Sequence, residues 1–436
     1  MKGNFAMKDS QGHALSGANS ASLTAYQAGL DQFRCFVGDP VASADAALQA
    51  SPDMTMAHLL KAWLYLLGTE PAGPAVARQC CDAAARLPAN DREQRHLHAA
   101  RLLAEGRWQE AGRALEDLSL LYPHDLLALQ AGHQVDFFTG DARMLRDRIL
   151  RAAPAWDRGR PGYHALLSMQ AFGLEETGNY LQAEACGRQS VELEPHDGWG
   201  WHAVAHVYEM TSQPHKGIAW LAPNAATWAE GSFFAVHNWW HLALFQLGLG
   251  HTGEVLRLYD QAIGGPGSSV ILDLIDQSAL LWRLQLQSVD VGQRWTALAD
   301  RWTAAAEPGT YAFNDMHAMM ALAADGRPQA QQALLNAMQE AKASGADNAR
   351  FTADAGYAAT RAMQAFIDGD HALCADLLRG IRSRAHRFGG SHAQRDLIDL
   401  TLMEAARRSG NQPLADALAH ERAYVRPPSA ALRAAA

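Results

Sequence analysis

The sequence predicts an all-α chain, one solenoid of helix–turn–helix repeats in a right-handed superhelix, and three observations predict it. Ala- and Leu-rich stretches with apolar residues at helical spacing fill most of the 436 residues. Alternating Val, Ile and Thr runs, the mark of half-buried strands, are nearly absent. The turns are periodic: Gly106-Arg-Trp-Gln-Glu-Ala111, Gly178-Asn-Tyr-Leu-Gln-Ala183 and Gly250-His-Thr-Gly-Glu-Val255 share one pattern and stand 72 residues apart.

Taken in order, residues 1–20 are polar and rich in Gly and Ser, and read as a flexible lead-in. Residues 21–425 read as a single continuous array. Halfway between the three matched turns lie Gly140-Asp141 and Ser212-Gln-Pro214, giving steps of 34, 38, 34 and 38 residues. Pro123 and Pro195, also 72 apart, each end a second helix before a new unit begins. Turns at Gly326-Arg-Pro328, Gly369-Asp370 and Gly410-Asn-Gln-Pro413 continue the series more loosely. Steps of 34 to 43 residues, one helix–turn–helix each, point to a tetratricopeptide-type repeat. In the unit ending at Pro195, Ala171, Ala183 and Pro195 take that repeat's small-residue and proline positions. About nine units would cover residues 25 to 423, and 426–436, from Arg426-Pro-Pro428, read as a frayed tail.

Composition narrows the function. Apolar content of 48% suffices for a full core, and a net charge of −9 with no run of five Lys or Arg argues against nucleic acid and anionic membrane as partners. Cys35, Cys80, Cys81, Cys186 and Cys374 are odd in number and lack CxxC spacing, as expected of reduced cytoplasmic thiols. The first residues form no apolar signal core, and no stretch reaches 18 consecutive apolar residues. No P-loop, GxGxxG, GxSxG or HExxH element is present.

The unusual feature lies between residues 199 and 241. His202, His206 and Glu209 are spaced i, i+4, i+7, and His237 and His241 are spaced i, i+4, so each set stacks along one helix face. Such a stripe ordinarily carries Leu, Val or Ala. The repeat phase puts both stripes on first helices, which in tetratricopeptide arrays line the concave surface. It puts Asp273 and Asp276 there too, with Asn314, Asp315 and His317, and with Gln394, Arg395 and Asp396. Neighbouring first helices pack at about 8–10 Å, so the first two stripes are expected to touch. The other clusters would close over the same hollow if the array curls tightly.

With these residues laid out, the chain resembles the tetratricopeptide repeat protein thirty-eight family. The resemblance rests on His202-Ala-Val-Ala-His206-Val-Tyr-Glu209, His237-Asn-Trp-Trp-His241, Leu258-Tyr-Asp260, the run from Asp276 to Leu284 and Val291-Gly-Gln-Arg-Trp295. Phe313-Asn-Asp315-Met-His317 and Gly389-Gly-Ser-His-Ala-Gln-Arg-Asp396 complete the set, in order and spacing, over residues 30 to 420. Ala235 departs from it, standing where some members have Cys, and the N-terminal units match least. The resemblance implies a helical-repeat fold with these polar motifs as its hallmark, and no defined activity.

Two functions follow as expectations. In one, the lining is an enclosed small-molecule site in which His202, His206, Glu209, His237, His241, Asp315 and His317 perform acid/base or metal chemistry. Imidazoles at His202, His206, His237 and His241 suit a divalent transition metal such as Zn, Fe or Mn, with Asp276, Asp315 or Asp396 fixing their tautomers. Trp239 or Trp240 would wall the pocket, Asn314 would assist, and Arg283 or Arg395 with Asp396 would take a carboxylate or phosphate. In the other, the groove is a scaffold for a peptide or protein partner and the polar cluster is a structural core. His, Trp, Asp and Phe in the lining, in place of Asn, Lys and Arg, favour the enclosed pocket. His164, His196, His215 and His251 fall outside the set and read as solvated.

Overall fold

The computed structural model describes residues 7–265 and 267–426. The tail expected from residue 426 lies outside them except for Arg426. The chain is all-α, a tetratricopeptide-like array of antiparallel helical hairpins, eleven of them among the described residues where sequence spacing suggests about nine. First helices begin at Ser20, Thr55, Asp91 and Leu126, and this pitch of 35 or 36 residues fits more units into the chain than the looser spacing of the later turns suggests. Extended pairing among the described residues is confined to two isolated bridges, Lys8 with Ala14 and Val37 with Ser232.

The period has a conformational cause. Gly106, Gly178 and Gly250 hold φ of 77°, 80° and 75°, the left-handed region that L side chains avoid, and each reverses the chain between two helices. Helix starts use the complementary device. Asn19, Asn90 and Ser391 each close a capping box, and Asp125, Asp141 and Asp370 each accept a backbone N–H three residues on.

Within a hairpin the two helices differ in burial. Leu126–Phe138 buries 11 of its 13 residues, whereas Trp108–Leu121 buries only Ala111, Leu115, Leu118 and Ser119 of its 14. First helices are therefore wrapped on most sides and second helices present one stripe. A polar residue on a first helix is buried by default, which is what gives the His stripes their cost.

The chain divides into two compact units: Met1–Val204 with Ala225–Ala235, and Ala205–Asn224 with Val236–Ala436. The flexible lead-in is corrected from residue 7 onward. The Met7 carbonyl accepts from Leu15 N, Asn90 Nδ2 donates to Ala14 O, and Ser16 N donates to Glu93 Oε1.

Candidate functional site

In the second unit the helices Ala235–Gly248 and Ile271–Leu286 carry the core of the site. His237 and His241 stand one turn apart on the first, and His206 comes from the last two turns of Gly198–Met210. The His206 and His241 rings lie 4.5 Å apart between centroids, His237 and His241 5.0 Å apart. One ligand-capable atom of each of these three residues falls within 4.8 Å of the others. His206 and His241 are fully buried. Burial, then the neighbouring imidazoles and Arg283, hold His241 well below the usual histidine range, so its ring is neutral.

Asp276 fixes one of the three. His237 Nδ1 donates to its Oδ2 at 2.8 Å, which places the lone pair on Nε2. Carboxylate–imidazole pairs of this kind orient metal-ligating histidines. The interior around them is incompletely bonded: Asp276 Oδ1, both side-chain polar atoms of Gln277 and Trp240 Nε1 are buried with no hydrogen-bond partner among the described residues. Native interiors rarely leave such groups unmatched without a functional reason.

Trp240 connects this cluster to Arg283. The indole stacks on His237 at 5.3 Å, and the Arg283 guanidinium sits over the indole 5.3 Å from its centroid. Arg283 is 5% exposed. Its Nη2 donates to Ala393 O at 2.7 Å and its Nη1 to Ala279 O at 3.3 Å, and no carboxylate lies within ion-pair distance among the described residues. Burial lowers its pKa to about 10, partly offset by the more distant charges of Asp396 and Glu209, so it stays a cation.

Asp396 is committed elsewhere. Arg422 grips it through Nη1 and Nη2 at 2.6 and 2.9 Å, and Arg426 adds a contact at 3.2 Å. Although burial alone would raise its pKa, these guanidiniums hold it below the usual carboxylate value. Glu209, half-buried, stands 3.8 Å from Arg426. Along one side of Arg283, Asp396 and Arg422 runs a cleft of about 460 Å³ whose apolar wall includes Leu244, Leu247, Leu286, Leu400 and Met403.

The other predicted residues have the following surroundings. His202 belongs to the first unit, where its ring packs on Phe172, Trp199 and Phe234 at 5.1, 4.5 and 5.2 Å. Asp315 turns back on its own loop and accepts from Gly309 N at 2.9 Å. With no cation against it, burial pushes its pKa up to about 7. Its expected part in orienting a histidine is therefore replaced by a loop contact. His317 donates from Nδ1 to Phe313 O at 2.8 Å, stacks near Phe313 and titrates down at about 4 because it is buried. Asn314 is buried, Trp239 half-buried, and Asp273 accepts from Ser268 Oγ at 2.6 Å. Gln394 closes the capping box on Ser391, and Arg395 turns to the Gly390 carbonyl, so the expected Arg395–Asp396 anion clamp is corrected to Arg422 and Arg426 on Asp396. His164, expected in solvent, instead bonds buried Asp197 at 2.8 Å, and Asp197 also accepts from Trp199 N and Gly200 N at the start of the His202 helix.

Sequence reasoning missed Arg422 and Arg426. Their i, i+4 spacing was the available signal, hidden because Arg426 opens the Pro-Pro segment read as tail.

No family model matches the chain. Among solved structures, a chain of the APC/C hetero-tetramer Cut9–Hcn1 is similar over 87% of this chain and 76% of that one, at 12% identity and a TM-score of 0.36. The TPR domain of P58(IPK) is similar over 90% of this chain and 99% of that one, at 13% identity and a TM-score of 0.20. Overlays this loose carry no conclusion about activity. No described helix is long and apolar enough to cross a membrane.

Proposed function

We propose that the second unit is a ligand-binding helical-repeat body in which His206, His237 and His241 hold a divalent transition metal (Zn, Fe or Mn) beside a small-molecule cleft. One observation carries this reading: two buried imidazoles and a half-buried one converge from two helices, with the half-buried His237 fixed by Asp276. Neutral imidazole is the ligating form, and at His241 burial already secures it. A metal would also offset the cost of gathering polar rings in an interior, several kcal/mol on the scale for unmatched buried groups. Three protein ligands leave a coordination position for water or substrate, the arrangement of catalytic sites as opposed to closed structural ones. The ion would supply a Lewis acid, and the chain's own residues would orient the ligand against it.

Elemental analysis of the purified protein, with melting curves taken in Zn, Mn or Fe and after chelation, tests this. Near-stoichiometric metal is expected, with His241→Ala losing it and with a chelator lowering Tm. A folded, metal-free protein whose Tm ignores all three ions and the chelator would remove the metal.

A second reading is supported by the same cleft. Its outer rim carries both charge signs, Arg407 with Glu404 and Gln412 with Asp416, over an apolar wall. That pattern suits a peptide or protein partner laid along a scaffold groove. A peptide-array hit whose affinity is abolished by charge reversal at Glu404 and Asp416, together with metal-free protein, would favour it.

A further inference from the structure

The cation at the inner end of the cleft has no anion of its own. Among the described residues Arg283 is the one deeply buried arginine of the second unit, and its hydrogen bonds go to two backbone carbonyls. Asp396, the nearest buried carboxylate that bears on it, is already held by two other guanidiniums. At that end Arg283 and Arg422 line the cleft with Asp396 and Glu209, and Arg426, outside the lining, contacts both of those carboxylates. At the outer end Arg407 pairs with Glu404, and Asp416 lies on the same rim. A buried cation at this cost is expected to meet an opposite charge.

The wall beside it is aliphatic: Leu244, Leu247 and Leu286 are buried and Leu400 and Met403 half-buried. At about 460 Å³ the cleft falls within the ordinary range for small-molecule sites, roughly 300–1,000 Å³. We propose that it takes a small monocarboxylate with an aliphatic body, the carboxylate meeting Arg283 and the chain lying on the Leu and Met wall. A planar guanidinium fork matches a carboxylate in shape, and Arg283 has only backbone carbonyls as hydrogen-bond partners. The inference does not rest on the metal, because Arg283 and the wall bind without it.

The test is calorimetric titration of the chelator-treated full chain with octanoate, octan-1-ol and octyl phosphate. Octanoate is expected to bind at least 10-fold more tightly than either of the others, and Arg283→Met to weaken octanoate at least 10-fold. If Arg283→Met fails to fold by circular dichroism, Met403→Glu at the half-buried wall serves in its place and should weaken octanoate by the same margin. Equal binding of octan-1-ol, tighter binding of octyl phosphate, or unchanged octanoate binding in a folded variant would overturn the proposal. So would a tetrapeptide with a free C-terminus that binds while its amide and octanoate do not, since that outcome assigns the cleft to a peptide end. Because the protein is stripped of metal throughout, failure here leaves the imidazole site standing, and the reverse also holds.

Discussion

The two units bury charge in opposite ways. In the first, every deeply buried arginine has a carboxylate: Arg34 meets Asp31 at 2.7 Å, Arg92 meets Asp125 at 2.8 Å, and Arg148 takes Asp136 through two nitrogens at 2.7 and 2.8 Å. Both oxygens of the Asp125 carboxylate are bonded. Trp63 Nε1 donates to His96 Nδ1, His96 Nε2 donates to Asp125, and the other Asp125 oxygen caps the helix at Ala128 N. In the second unit Arg283 lacks a carboxylate, Asp315 lacks a cation, and His317 keeps a buried Nε2 with no hydrogen-bond partner among the described residues. Closed networks specify packing; open ones are where a ligand can contribute. His133, buried in the first unit, is lowered to about 3 by burial and Arg148 and packs on Phe172 and Trp199.

If the first unit is structural in this sense, removing one partner should be severe. Asp125→Ala strands Arg92 and His96 and removes a helix cap, and should cost about 3–5 kcal/mol in denaturant unfolding. A loss under about 1 kcal/mol would erase the contrast.

The second comparison uses pH, because the two carboxylates have opposite signs. Burial alone would raise Asp125, but His96 and Arg92 pull it well below 3.8. Its contribution is present above the unfolded value near 3.8 and is lost as pH falls through the folded one. Asp315 is raised from 3.8 to about 7. Its carboxyl favours the fold below 3.8, and that stability is lost as pH rises to about 7. Asp315→Asn keeps an acceptor for Gly309 N, so it should remove this window and stabilise the protein at pH 8 by roughly 2–3 kcal/mol, less than the full shift implies at about 1.4 kcal/mol per pH unit. A variant no more stable than the parent protein at pH 8 would show that the Asp315 carboxyl is not raised in the fold.

The smallest effect concerns the turns. Gly140 in the first unit and Ser212 in the second stand at equivalent half-steps, with φ of 71° and 54°. Ser212→Gly should gain about 1 kcal/mol and Gly140→Ala should lose about as much, since only glycine holds a left-handed turn without strain. Equal melting temperatures for the two variants would break the equivalence of the turns.

Much of the architecture was legible because its signals are local. A glycine that must turn left-handed, a proline that stops a helix and an Asn or Asp that caps one repeat with the unit, so the period appears without tertiary knowledge. The convergence of His206, His237 and His241 followed from helical spacing and the phase of first helices. What escaped depended on long-range pairing. Asp396 could not be matched to Arg422 and Arg426 from spacing, because the partners sit 26 and 30 residues on in a different helix. Asp315 looked like a site carboxylate until its side chain was seen to serve the Gly309 turn. Nor does spacing show that helix Gly198–Met210 carries His202 in one unit and His206 in the other.

Trp240 lies against both proposals at once. Its ring is stacked on His237 and capped by the Arg283 guanidinium, so whatever draws that cation toward an incoming anion also alters the surroundings of a candidate ligating imidazole. Thermodynamic reciprocity then requires that an ion on the histidines change the affinity of the anion by the same factor as the anion changes that of the ion. The indole is thus a hinge for heterotropic cooperation and, through its emission, an intrinsic optical reporter of it.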